Sequence, residues 1–255
     1  MKILSQLVLV AGICSVMACK TEVEPPIGDD VYEYEYFPLA VGQSRTYQVD
    51  SIRFDYGEGN FMSDSSSFYI REDYVEMLEN QEGNDLYRIE RRKAKTLEGP
   101  WQVLDVVSEF RTVTQAFRTE NNLKFNVLVF PPEEGTRWDG NAYLNEDLTV
   151  FVRGEPIQMF KFWDYEVLSK SLSATVGEMN YTDLLHVQQA EDVNAFDLRQ
   201  AFEYYAKDIG AVYRERWILE SACKFLGRPE ICVGRDWPEK SGRGFIVRET
   251  LVAHQ

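Results

Sequence analysis

Leu123-Lys124-Phe125-Asn126-Val127-Leu128-Val129 is the stretch that indicates the fold most directly. Apolar residues occupy every second position, with Lys124 and Asn126 between them. A two-residue period is typical of a β-strand that buries one face. The stretch therefore predicts a half-buried strand.

The same period recurs further along the chain. In one segment the apolar residues share one parity and two arginines share the other: Ala211, Tyr213, Trp217 and Leu219 against Arg214 and Arg216. A second segment repeats the pattern, with Phe245, Val247 and Leu251 against Arg248 and Thr250. Half-buried strands turn their apolar residues to the core and their polar residues to water. Both segments are therefore predicted strands, with the arginines on the opposite face from the core.

An earlier segment changes face part of the way along. Tyr47 and Val49 are apolar at odd positions, whereas Ile52 and Phe54 are apolar at even positions. An extra residue in a strand produces such a switch. We therefore expect a bulge or bend near residues 50–51.

Turn-forming residues separate the apolar runs, at 57–60, 83–84, 98–100 and 139–141. Many strands joined by such turns indicate an antiparallel sheet. The sequence predicts an all-β fold, a single domain of curved antiparallel sheet that is partial-barrel or sandwich-like, with few or no helices. No linker interrupts residues 36–255, so we assign them to one domain.

The first residues have the pattern of an export signal. Lys2 precedes an apolar run, Ile3 to Met17, which is shorter than the about 20 residues of a membrane-spanning helix. The run ends in Val16-Met17-Ala18-Cys19, which resembles the lipobox of bacterial lipoproteins. We therefore expect residues 1–18 to be a signal peptide, and Cys19 to be the lipid attachment site. Residues 19–35 contain Pro25-Pro26 and few apolar residues, which predicts a flexible linker.

Of the four cysteines, Cys14 lies in the signal peptide and Cys19 takes the lipid, which leaves Cys223 and Cys232. Oxidation is favoured outside the cytoplasm. We predict that the two form a disulfide in the loop between the last two strands, worth roughly 2–3 kcal/mol on the loop-entropy model. A zinc site is the alternative, but the absence of a nearby histidine disfavours it.

The charge balance limits the partners. The formal net charge of −15 disfavours nucleic acid, because its phosphates would be repelled. The five residues of the basic cluster are expected on a solvated strand face, although an acidic partner or a glycan is the alternative: Arg88, Arg91, Arg92, Lys93 and Lys95.

Three motifs resemble those of a family of uncharacterised outer-membrane lipoproteins of Bacteroidota. They are an opening strand that begins with Tyr36-Phe37-Pro38-Leu39-Ala40-Val41-Gly42, a turn at Gly135-Thr136-Arg137-Trp138-Asp139-Gly140-Asn141, and a strand pair at residues 204–213. The resemblance implies an envelope lipoprotein held in the outer membrane through Cys19. It implies no particular activity.

A search for catalytic motifs finds no nucleophile elbow, zinc-protease motif, phosphate loop or dinucleotide fingerprint. His186 and His254 are the two histidines, and Asp183 lies on the opposite face of a strand from His186. We therefore name no catalytic, cofactor or metal residues, and we predict a non-enzymatic binding or accessory module, with a hydrophobic small molecule or an envelope protein as its partner. Two alternatives stay open, namely an assembly partner in an outer-membrane complex and a hydrolase whose site the sequence hides.

Overall fold

A computed structural model describes residues 31–255. The predicted signal peptide, Cys19 and residues 20–30 of the predicted linker lie outside the described residues. Within the described range, no helix has both the length and the apolar character needed to cross a lipid bilayer.

Antiparallel strands make up most of the described chain, which confirms the all-β prediction. The fourteen strands are β1 Ser44–Gly57, β2 Asn60–Glu79, β3 Asp85–Ala94, β4 Gln102–Arg111, β5 Gln115–Glu120, β6 Leu123–Val129, β7 Arg137–Trp138, β8 Thr149–Val152, β9 Glu155–Gln158, β10 Trp163–Val176, β11 Met179–Val193, β12 Asp197–Ala206, β13 Gly210–Ser221 and β14 Ser241–His254. Two short helices, α1 Ala222–Leu226 and α2 Trp237–Lys240, lie between β13 and β14.

Twelve of the strands form one sheet in the order β6-β5-β4-β3-β2-β1-β14-β13-β12-β11-β10-β7. The order consists of two meanders, β1 to β6 and β7 to β14, which meet where β1 pairs with β14. β8 and β9 form a separate hairpin within the second meander.

The two ends of the sheet approach each other, so that the sheet is nearly closed. The backbone N–H of Asn126 on β6 donates to the carbonyl of Gly140 at 2.9 Å, and the indole of Trp138 on β7 donates to the carbonyl of Asn126 at 2.9 Å. A Cβ on Gly140 would lie 2.3 Å from a ring carbon of Tyr165. The turn that resembles the lipoprotein motif therefore requires glycine for close packing.

The segment before β1 lies against the sheet. Tyr36 and Phe37 are buried in the largest core cluster. Residues 34–36 form a 3₁₀ turn and β1 begins only at Ser44, so the first part of the expected opening strand is a turn and a loop. Residues 31–35, the end of the predicted linker, also contact the domain, because Glu33 pairs with Lys170 at 2.5 Å.

The bulge expected near residues 50–51 is absent. β1 pairs with β2 without interruption, and its register shift opposite β14 lies between Thr46 and Tyr47. The switch of face has another cause, since both faces of β1 are covered. Tyr47 and Val49 pack in one cluster and Phe54 packs in another.

The prediction that the apolar face of β13 is the buried one is wrong over part of the strand. Arg214 faces the interior and is only 7% exposed, whereas Tyr213 and Trp217 are half-buried on the outer face. The basic cluster was expected on a solvated strand face, and this is wrong for Arg91. Arg91 is buried in the interior, whereas Arg88 is not. Carboxylates on the neighbouring strands compensate the interior arginines, as described below.

Cys223 and Cys232 form a disulfide in the connection between β13 and β14, with 6.2 Å between their Cα atoms. Cys223 belongs to α1, and Cys232 follows a 3₁₀ turn at Pro229–Ile231. The disulfide therefore joins the two ends of a short excursion away from the sheet.

Candidate functional site

The interior face of the sheet carries a network of charged side chains that the register brings together. Residues of opposite charge lie directly opposite each other on neighbouring strands. The pairs are Glu72 with Arg91, Arg91 with Asp105, Glu109 with Arg118, Glu203 with Arg214, and Arg214 with Glu249. Opposite charges in such positions stabilise strand pairing.

Arg118 is the centre of this network. Its guanidinium donates to Glu72 at 2.5 Å and to Glu109 at 2.6 Å, and all three side chains are less than a tenth exposed. The Tyr74 hydroxyl donates to Glu109 at 2.5 Å, and Arg45 in turn donates to Tyr74 at 2.6 Å. These groups therefore satisfy much of one another's hydrogen-bonding capacity.

A second branch of the network reaches β12, β13 and β14. Arg214 donates to Glu249 at 3.0 Å and lies 3.7 Å from Glu203. The hydroxyl of Tyr205 donates to Glu203. Arg91 extends the first branch by donating to Glu120 at 2.6 Å.

The network shifts the pKa values of its carboxyl groups. Burial raises the pKa of Glu72, but the charges of Arg118, Arg214 and Arg91 outweigh that effect and lower the pKa to about 2. Burial raises the pKa of Asp105 above its usual value, and here Arg91 compensates only in part. Glu72 is therefore ionised at neutral pH.

The interior also contains a cavity of about 320 Å³, which lies within the range of small-molecule sites. Its walls are mostly apolar. They include Leu123, Phe125 and Val127 from β6, Val150 and Val152 from β8, and Trp163 at the start of β10. Arg91, Arg118, Glu120, Glu203, Arg214, Arg216 and Glu249 form the polar side of the cavity, which we call the charged floor.

The hairpin of β8 and β9 forms part of the cavity wall. Phe151 in β8 lines the cavity and is 73% exposed, and Asn121 in the β5–β6 turn is a second exposed lining residue. Glu155 of the hairpin pairs with Arg243 on β14 at 2.9 Å. Because these lining residues are exposed, the cavity opens to solvent between the β8–β9 hairpin and the β5–β6 turn.

The histidines and cysteines that the sequence analysis considered do not line this cavity, whereas Arg91 of the basic cluster does. His186 packs edge-to-face on Tyr204 and Phe202, with ring centroids 4.9 Å and 5.4 Å apart, and burial lowers its pKa. Cys223 and Cys232 lie in the β13–β14 connection. Between residues 31 and 255, no group of three or more His, Cys, Asp or Glu side chains could hold a metal ion.

Sequence reasoning missed the charged floor because it assigned strand charges to solvent. The sequence does contain one indication of a polar interior. Glu203 and Arg214 lie on strands that carry apolar residues at both odd and even positions. A strand that is apolar on both faces has no solvent face for its charges. Such a charge therefore points to a polar interior.

Comparisons with known proteins find no matching family model and no matching curated protein. Two solved structures are similar to this chain. One is a candidate exported protein with a YmcC-like fold from Bacteroides fragilis, at 10% identity and a TM-score of 0.42, and the match covers 86% of this chain and 98% of the other. The second is a candidate lipoprotein from Parabacteroides distasonis, at 11% identity and a TM-score of 0.38, again over 86% of this chain and 98% of the other.

Proposed function

We propose that this protein is a non-enzymatic envelope lipoprotein that binds a hydrophobic small molecule in the interior cavity. The observation that carries the proposal is the cavity itself, with apolar walls from β6, β8 and β10 and a charged floor. Pockets of this construction, mostly apolar with a few converging polar groups, are typical of ligand sites.

The energetics of the interior support a ligand role. Removing charges from water costs free energy that buried ion pairs do not always recover, and an apolar core of equal volume is often as stable. The floor nevertheless includes four arginines and three glutamates beside an apolar wall. A site that recognises an amphipathic molecule uses both surfaces. Because Glu203 is committed to Arg214, Arg216 and Tyr205, the floor supports binding rather than acid–base chemistry.

The site is tested by extracting bound molecules from the full chain, purified from the cells that make it. Organic extracts are analysed by mass spectrometry, and each hydrophobe is quantified per mole of protein. The Val150→Trp variant would fill the cavity from the hairpin side. The matched control is Val233→Trp, at a position that is 79% exposed and does not line the cavity.

We expect a hydrophobic molecule to accompany the wild type and the Val233→Trp variant, and to be strongly reduced in Val150→Trp. Equal amounts in all three proteins, or no molecule in any of them, would reject the site.

The anchor is a separate part of the proposal and has its own test. The sequence before Cys19 resembles a lipobox and supports lipid attachment at that residue. The resemblance to outer-membrane lipoproteins supports residence in the outer membrane. Cells grown with a clickable palmitate analogue should label the wild type but not a Cys19→Ala variant. A wild-type protein without label would contradict the anchor and leave the cavity proposal untouched.

A further inference from the structure

Arg216 differs from the other arginines of the charged floor in how little the protein satisfies it. The guanidinium of Arg118 donates hydrogen bonds to Glu72, Glu109 and Glu120. The Nε of Arg216 has no hydrogen-bond partner among the described residues, and its ion pair is with Glu203, at 3.6 Å from Nη2. Its side chain is 31% exposed, whereas that of Arg118 is 8% exposed.

A second unpartnered polar group lies in the same wall. Gln189 lines the cavity, is 1% exposed, and has a side-chain oxygen without a hydrogen-bond partner. On β11, Gln188 pairs with Phe202 and Ala190 pairs with Ala201, so Gln189 is the extra residue of a β-bulge. Bulges re-aim side chains and occur next to binding sites.

A third polar group completes the set. Tyr165 lines the cavity beside Arg216 and Glu203, whose charges both act on its hydroxyl. Burial raises the pKa of Tyr165, so the hydroxyl keeps its proton and is a donor. Arg216, Gln189 and Tyr165 therefore bring donors and an amide to one part of the cavity, next to its apolar wall.

We infer that the cavity takes an acyl chain that ends in a carboxylate, with the carboxylate held by Arg216. This inference rests on the proposed function and names the ligand class for the same site. Arginine presents parallel N–H groups that match the two oxygens of a carboxylate. The Tyr165 hydroxyl donates to the same headgroup.

The Arg216 guanidinium favours an anionic headgroup, because the glutamates of the floor have other partners. Glu120 already accepts a hydrogen bond from Arg91 at 2.6 Å, and Glu249 accepts one from Arg214 at 3.0 Å. Glu203 accepts a hydrogen bond from Tyr205 and lies 3.7 Å from Arg214 as well as 3.6 Å from Arg216, so it does not depend on Arg216 alone. The Nε–H of Arg216 is without a partner among the described residues, and a cationic headgroup would meet the guanidinium unfavourably.

The test uses the full chain in phosphatidylcholine nanodiscs, with two photoreactive probes of equal chain length, a palmitate analogue and the corresponding long-chain alcohol. After illumination, labelled peptides are mapped by mass spectrometry. We expect the acid to label the β5–β6 turn and the β8–β9 hairpin of the wild type, and the alcohol to label them about tenfold less, as the loss of one charge-assisted hydrogen-bond pair predicts.

The variants assign the headgroup contact to one residue. Arg216→Gln should reduce acid labelling to the level of the alcohol, whereas Arg216→Lys should retain part of it. Arg137→Gln is the matched control, because Arg137 is 60% exposed at the side chain and does not line the cavity. Melting curves of each variant check that the fold is intact.

Each outcome decides the inference. Equal labelling by acid and alcohol in the wild type would overturn the carboxylate assignment and leave the proposed binding function standing. Acid labelling that Arg216→Gln does not reduce in a folded protein would overturn the role of Arg216. Absence of cavity labelling by either probe would overturn both the inference and the proposed function.

Discussion

The interior of the sheet is filled in two different ways. In the first meander, Glu72, Arg91 and Arg118 face inward and are paired with one another. In the second meander, Leu185 and Val187 on β11 face an apolar cluster and are fully buried. Arg214 and Glu203 carry the charged part across to the second meander. The cavity lies where the two kinds of interior meet.

Alternation of residue types along a strand distinguishes its two faces but does not indicate which of the two is buried. An apolar interior and a charged interior give the same period of two. What distinguishes them is the register between strands, which sets Glu109 opposite Arg118 and Leu185 opposite Tyr205. The two interiors should also respond differently to substitution and to pH.

The largest expected effect is on the charged interior. Arg118→Met leaves Glu72 and Glu109 without their closest cation, and breaking a buried ion pair costs about 3–5 kcal/mol. Urea unfolding measures the loss. Adding Glu109→Gln to the same variant should recover part of the stability, because one uncompensated charge is removed. A loss below about 1 kcal/mol would indicate that this network behaves as a solvated surface pair.

The apolar interior should lose about 3 kcal/mol in the Leu185→Ala variant, because Leu185 is 0% exposed and its removal leaves a cavity. Unlike the loss in Arg118→Met, this loss should be the same at pH 7 and at pH 4. A pH-dependent loss measured by urea unfolding would remove the distinction between the two interiors.

Acid should weaken the charged interior selectively. The pKa of Glu72 falls from an ordinary 4.5 to about 2 in the folded protein, so its contribution is present above pH 4.5 and is lost as the pH falls towards 2. Between pH 7 and pH 3 this amounts to a loss on the order of 2 kcal/mol. Glu72→Gln should flatten that part of the stability profile, and Leu185→Ala should not. If stability depended on pH in the same way in the wild type and in Glu72→Gln, the loss of stability in acid could not be assigned to Glu72.

The smallest effect is expected on the outer surface. Arg53 and Asp64 form an ion pair at 3.3 Å, with side chains 45% and 54% exposed. Arg53→Gln should therefore change the free energy of unfolding by less than about 1 kcal/mol, and 0.5 M salt should abolish the difference. A change as large as that of Arg118→Met would mean that burial does not control the strength of these pairs.

Much of the fold could be predicted from the sequence, whereas the candidate site could not. The strand period of residues 123–129, the turn residues and the spacing of Cys223 and Cys232 are local features, and the structure contains the corresponding strand, turns and disulfide. The charged floor depends on long-range register. Arg214 meets Glu72 at 3.9 Å, although they are far apart in the chain, and no local pattern encodes that contact. The cavity further depends on where the hairpin of β8 and β9 rests.

The pairing of β1 with β14 determines the order in which the sheet can assemble. Every other strand of the large sheet lies beside a strand close to it in the chain, but this central pair joins residues 45–55 to residues 243–254. Contacts of such long sequence separation slow folding. Until β14 is available, β1 and β13 are open edges that can associate with other chains. The two meanders can therefore join into one sheet only after residues 241–254 have been synthesised.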